Sequence, residues 1–186
     1  AGTHKGRRLL GPQGPGLRPT SDRVKEALFS IVGPYLDGKR FLDLYAGTGA
    51  VGIEALSRGA DFAVFVESNA VSLKVLYENL RQTRLTDHAQ VCTVTSEAYC
   101  ARIPRQAPVF DLVFLDPPYD QEDFSDMLTQ IAFSGIIGHR STVILEHQSK
   151  KQPPLAIASL THTRSYRYGD TSLSLYRPLF PEGEAP

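Results

Sequence analysis

Asp116-Pro117-Pro118-Tyr119 follows a run of apolar residues in this 186-residue chain, and its residue types suit one task well. An amino group attached to a nucleobase is a poor nucleophile, because its lone pair is delocalised into the ring. An acceptor on each of its two hydrogens favours a pyramidal nitrogen whose lone pair points at an electrophile. The Asp116 carboxylate can be one acceptor and a backbone carbonyl of Pro117-Pro118 the other. Proline has no N–H and a fixed φ, so that carbonyl is held in place. This is orientational and electrostatic catalysis, with no covalent bond to the protein. Tyr119 offers a face on which a base can stack, worth about 1–3 kcal/mol, once the base has left its own stack. A Pro-Pro turn beside an incidental acid is the bland alternative.

A second group lies upstream. Gly47, Gly49 and Gly52 match G-x-G-x-x-G between a strand-like run and a helix-like one, and Glu67 ends the next strand-like run. Glycines let a ligand approach the backbone, and Glu67 can accept from two ribose hydroxyls. Asp43 stands four residues before Gly47, where its charge opposes a pyrophosphate and suits an ammonium group. Asp-x-x-x-Gly-x-Gly with an acid on the second strand resembles the class I methyltransferases, whose methyl donor is S-adenosylmethionine. Ser96-Glu97-Ala98 then occupies the loop after the third strand, where such enzymes place a polar residue against the adenine.

The elements that must hold these residues follow from periodicity. A helix is predicted from Thr20 or Ser21, with Val24, Ala27, Leu28, Ile31 and Val32 on one face and Gly33-Pro34 as its stop. Strands are predicted at 41–45, 62–66, 90–94, 111–115 and 142–146, and helices at 50–57, 69–82 and 122–133. Apolar strands alternating with amphipathic helices indicate a doubly wound, mostly parallel α/β sheet. The runs 159–168 and 171–176, joined by Gly169-Asp170, predict an antiparallel hairpin at its end. No repeat or linker interrupts residues 1–177, so a single domain is expected, with a flexible tail at 178–186.

Composition excludes several classes. The chain is 41% hydrophobic and 22% charged, as in soluble globular proteins. No apolar run approaches the ~20 residues of a membrane span, and the opening lacks a signal peptide's apolar segment. Cys92 and Cys100 are read as free thiols of a reducing cytoplasm. The five histidines have no ligand spacing, so no metal is assigned. The zero net charge conceals an asymmetry. Residues 1–25 hold six basic residues against one acid, 26–138 hold eight against 15, and 139–177 hold six against two. Two basic ends could form one phosphate-binding surface, with Lys5, Arg7, Arg8, Arg23, Arg164 and Arg167 as its candidate contacts.

One stretch narrows the reading. Gly16-Leu17-Arg18-Pro19-Thr20-Ser21-Asp22-Arg23-Val24-Lys25-Glu26-Ala27-Leu28-Phe29 closely resembles the RPTxDRVxExLF signature of the bacterial 16S ribosomal RNA guanine-N2 methyltransferases of the RsmD family. The resemblance extends through Asp43–Gly52, Glu54–Ala60, the Asp116–Tyr119 tetrad and Tyr168-Gly169-Asp170-Thr171. It implies a Rossmann-like, seven-stranded sheet with a basic N-terminal arm, and methylation of guanine N2 in the helix-31 loop of the small subunit. It also makes Arg18 and Thr20 pocket-edge residues. The cofactor-binding set is then Arg18, Thr20, Asp43, Tyr45, Ala46, Gly47, Gly49, Glu67, Ser68, Ser96, Glu97 and Ala98, and the catalytic set is Asp116, Pro117, Pro118 and Tyr119. Ser96-Glu97 departs from the acid usual in the family after strand three, and the chain opens without the start of the family's first strand. The expected partner is ribosomal RNA in a small-subunit particle, met by a cytoplasmic monomer. Two other readings stay open: an adenine-N6 or cytosine-N4 DNA methyltransferase, and an inactive RNA-binding module.

Overall fold

The computed structural model describes residues 9–11, 22–103, 108–118 and 123–179. The chain forms two compact units, residues 1–95 and 96–186.

In the first unit, helix α1 (Asp22–Val32) precedes strand β1 (Arg40–Asp43), α2 (Ala50–Ser57), β2 (Phe62–Val66), α3 (Ala70–Thr83) and β3 (Ala89–Cys92). The strands lie in the order β3-β2-β1 and are parallel, with Asp43 opposite Phe65 and Val66 opposite Cys92. Their apolar runs are buried on both faces, with Phe41, Leu42, Val64, Phe65 and Val66 nearly inaccessible. Each such side chain contributes about 1.5–3 kcal/mol of burial. Helix α1 adds Leu28 and Phe29, whose ring lies 6.4 Å from that of Phe41. Asn69 caps α3, its side chain accepting from the Val71 and Ser72 N–H groups at 2.9 and 3.0 Å.

Gly49 and Gly52 show why the motif needs glycine. Gly49 has φ +80°, and a Cβ there would sit 2.3 Å from a methyl of Leu76. At Gly52 a Cβ would lie 2.3 Å from the Phe65 ring, which packs helix α2 tightly onto β2. Gly52→Ala is therefore expected to lower stability by about 1–3 kcal/mol, the usual cost of overpacking a core. Urea unfolding measures this, and a midpoint equal to wild type would mean that Phe65 swings aside at no cost.

The second unit contains α4 (Ser96–Arg102), β4 (Phe110–Leu115), α5 (Ser125–Phe133), β5 (Ile137–Gln148), β6 (Ala156–Ile157), β7 (Leu160–Tyr168) and β8 (Thr171–Pro178). The order is β4-β5-β8-β7-β6, with β4 and β5 parallel and the remaining pairs antiparallel. The predicted hairpin is present: Tyr168 pairs with Thr171 across Gly169-Asp170, and Gly169 has φ +67°.

Three differences from the sequence reading have local causes. Ser96-Glu97-Ala98 is the first turn of α4 and not a loop. That helix has seven residues and buries only Ser96 and Cys100, too few to print a period. Strand β5 runs well beyond 142–146 because a register shift between Phe110 and Leu112 lets its start pair as well. Ser141 fills that irregularity, donating to the Phe110 carbonyl at 2.6 Å and accepting from the Gly138 N–H at 2.8 Å. The described residues contain eight strands, the addition to the expected seven being the two-residue β6.

Candidate active site

Parallel pairing brings the first unit's acids to one strand edge. Asp43 ends β1 and Glu67 follows the last residue of the neighbouring β2. Asp43 is 1% exposed, and its Oδ2 accepts from the Gly52 N–H at 3.2 Å. A negative charge is thereby fixed under the first turn of α2, where backbone donors favour it. Between the acids, the turn carries Gly47 at φ +53° and Gly49 at φ +80°, closed by Gly49 N–H to the Ala46 carbonyl at 2.7 Å. Nothing lies within 4 Å of where a Cβ on Gly47 would stand, so a ligand can lie against that backbone.

Glu67 is more engaged than the sequence suggests. Its Oε2 accepts from the Gly47 N–H at 2.8 Å, and its Oε1 from the Ser68 and Asn69 N–H groups at 2.8 and 2.6 Å. A carboxylate has roughly four acceptor positions, so a ribose held through both hydroxyls takes over at least one of these. Tyr45 is half-buried, Ala46 buried and Ser68 exposed along the same edge.

Asn79 is a residue that the sequence reading missed. It is fully buried on α3. Its side-chain nitrogen donates to the carbonyls of Thr48 at 2.9 Å and Leu10 at 3.1 Å, and its oxygen accepts from the Leu10 N–H at 2.8 Å. One amide thus joins residue 10 of the N-terminal arm to the glycine turn. A lone Asn within an amphipathic helix carries no sequence signal for that role.

In the second unit, Asp116, Pro117 and Pro118 follow β4 and form one side of an open recess. Glu146, His147 and Gln148 at the end of β5 form another side, with Phe124 and Lys151 completing the lining. Leu115 pairs with Leu145, so Asp116 and Glu146 stand side by side at the carboxyl ends of adjacent parallel strands, where open α/β sheets bind ligands. The surroundings of His147 favour its neutral imidazole. Burial lowers its pKa, with His162 and Lys151 acting in the same direction against a bond to Gln148. Its Nδ1–H donates to the Gln148 carbonyl and its Nε2 accepts from Ser174, both at 2.8 Å. With both nitrogens used, the ring is a fixed wall 5.8 Å from that of Phe124, and the Lys151 ammonium lies 5.8 Å from the Phe124 centroid.

Of the remaining expected residues, Ser96 is buried, Glu97 exposed and Ala98 half-buried, all on α4. Arg23 is exposed on α1, and Arg164 and Arg167 are exposed on β7, the Arg164 guanidinium 5.1 Å from the Tyr166 centroid. Lys5, Arg7, Arg8, Arg18, Thr20 and Tyr119 lie outside the described residues. Both cysteines are free. Burial pushes the Cys100 thiol up to about 12, with Glu97 adding to it, and raises that of Cys92, so neither is a ready nucleophile. Among the described residues no helix is long and apolar enough to cross a membrane.

A glycine turn between two strand-end acids, in a parallel α/β sheet with an antiparallel end, defines the class I methyltransferase fold, a class whose methyl donor is S-adenosylmethionine. The chain belongs to the family described as Conserved hypothetical protein 95, which matches residues 1–177 and is the family of ribosomal RNA small subunit methyltransferase D. It is 37% identical over 177 residues to YlbH of Bacillus subtilis, covering 95% of this chain and 96% of that protein. To the ribosomal RNA small subunit methyltransferase D of Escherichia coli strain K12 it is 30% identical over 176 residues, covering 95% and 87%. The solved structure of yhhF from Escherichia coli superposes with a TM-score of 0.83 at 26% identity, covering 96% of this chain and 95% of that one.

Proposed function

We propose that this chain transfers a methyl group from S-adenosylmethionine to the exocyclic N2 of a guanine in 16S ribosomal RNA, in the helix-31 loop of the small subunit. The observation that carries this is the half-buried Asp116 with Pro117 and Pro118 at the edge of an open recess. The ribosomal RNA methyltransferases among its relatives support the choice of RNA, and the unbroken match over residues 1–177 supports a single catalytic domain. The protein acts as a monomer in the cytoplasm, on RNA within a small-subunit particle. The test is methyl transfer from labelled cofactor to RNA or small subunits from cells lacking this enzyme, with the modified nucleoside mapped. Label in another nucleoside, or none in guanine, refutes the assignment.

The residues divide the work. When bound, S-adenosylmethionine supplies an electrophilic methyl carbon on a sulfonium. Asp43 offers a buried negative charge to an ammonium group, Glu67 accepts from the ribose, and the Gly47 turn admits the ligand to the backbone. Tyr45, Ala46, Ser68, Arg18 and Thr20 border the same ligand, and Ser96, Glu97 and Ala98 face its adenine. Asp116 accepts one N2–H of the guanine and a carbonyl of Pro117 or Pro118 the other, turning the nitrogen lone pair toward the methyl carbon. A preorganised acceptor of this kind is typically worth about 3–4 kcal/mol in the transition state. Tyr119 stacks on the base.

The basic ends bind the RNA backbone in this reading. Neutralising Arg164 with Arg167, or Arg7 with Arg8, is expected to lower the slope of log K against log salt by about 0.7–0.9 for each phosphate no longer neutralised. Affinity for free cofactor should not change. A salt titration of RNA binding measures this, and an unchanged slope from both pairs would mark these arginines as ordinary solvated charges.

A further inference from the structure

The recess beside Asp116 has a second carboxylate that the methyl-transfer step does not use. Glu146 is only 7% exposed and lines the recess. By register it stands beside Asp116, on a strand about 5 Å away. A flat ligand here meets two neighbouring acceptors, and the nucleobases differ in what they can offer them. Adenine and cytosine present an amino group next to a ring nitrogen that is itself an acceptor. Uracil presents an N–H between two carbonyl oxygens. Guanine alone places a ring N–H, N1–H, directly beside an amino group, N2.

We propose that Glu146 accepts the guanine N1–H while Asp116 holds the N2 amino group, so that Glu146 is the residue that selects guanine. This rests on the methyl-transfer reading above and adds to it the basis of base choice. With adenine or cytosine in the same pose, a carboxylate faces a ring lone pair. The buried charge then loses its partner and meets a repulsive one, an arrangement that discriminates strongly. Phe124 and His147 line the same recess, their rings 5.8 Å apart.

The test uses substrate RNA with either guanine or 2,6-diaminopurine at the target position. Diaminopurine keeps the N2 amino group but has an acceptor at N1. Wild type is expected to prefer guanine by at least about 100-fold in kcat/KM. Glu146→Gln, whose amide can donate to that acceptor, is expected to lose at least about 30-fold on guanine and to retain a preference below about tenfold. Cofactor affinity by calorimetry should match wild type. The preference is a ratio measured on one enzyme, so a loss of folded protein cancels; should Glu146→Gln yield no soluble protein, Glu146→Ser carries the same expectation. A variant that keeps the full preference overturns the role of Glu146, as does a wild type indifferent between the two bases. A wild type that methylates neither overturns the guanine-N2 reading along with it.

Discussion

Asp116→Ala is expected to lower kcat about 100- to 1,000-fold, because it removes one preorganised acceptor worth about 3–4 kcal/mol in the transition state. The loss should fall on kcat, since the hydrogen bond matters most when the nitrogen turns pyramidal and begins to carry charge. Affinity for S-adenosylmethionine should stay within about twofold, as Asp116 lines the recess after β4 and is not part of the glycine turn. Single-turnover kinetics at saturating cofactor, with binding measured separately by calorimetry, resolves the two. Asp116→Asn keeps one acceptor oxygen and should retain more activity than alanine. A kcat near wild type for the alanine variant would show that the Pro117-Pro118 segment activates the amino group without the acid.

Glu67→Ala is expected to have the opposite signature. It removes the acceptor for the Gly47, Ser68 and Asn69 N–H groups and, in the proposed role, the partner of the ribose, so both the turn's tether and the ligand's acceptor are lost. Hydrogen bonds to a charged group are worth about 1.5–3 kcal/mol, which corresponds to a drop in cofactor affinity of roughly 10- to 150-fold. At saturating cofactor, kcat should remain within about threefold of wild type. Calorimetry with S-adenosylmethionine decides this, and unchanged affinity would reduce Glu67 to a brace for the glycine turn.

The sequence by itself determined the elements whose signals are local. Strand β2 (Phe62–Val66) and helix α2 (Ala50–Ser57) were legible to the residue, because an unbroken apolar run and a glycine turn mark their ends. The hairpin at Gly169-Asp170 was equally plain, since a two-residue turn is a local matter. So were the positions of the candidate acids: Asp43, Glu67 and Asp116 each stand at or just past the end of an apolar strand.

Only the tertiary structure decided which distant residues share a site. Glu146 looks like any acid at the end of an apolar strand until the pairing of β4 with β5 sets it beside Asp116. Asn79 looks like a polar residue on a helix until the fold brings Leu10 to it from 69 positions away and Thr48 from 31. His147 becomes a fixed wall because Ser174, on a strand paired antiparallel to its own, supplies its second hydrogen bond. Helix α4 escaped notice because seven residues with two buried are held by packing and not by period. The physical reason is common to these cases. Periodicity and turn chemistry act over a few residues, whereas register and the burial of a satisfied polar group are settled between segments that meet only when the chain is folded.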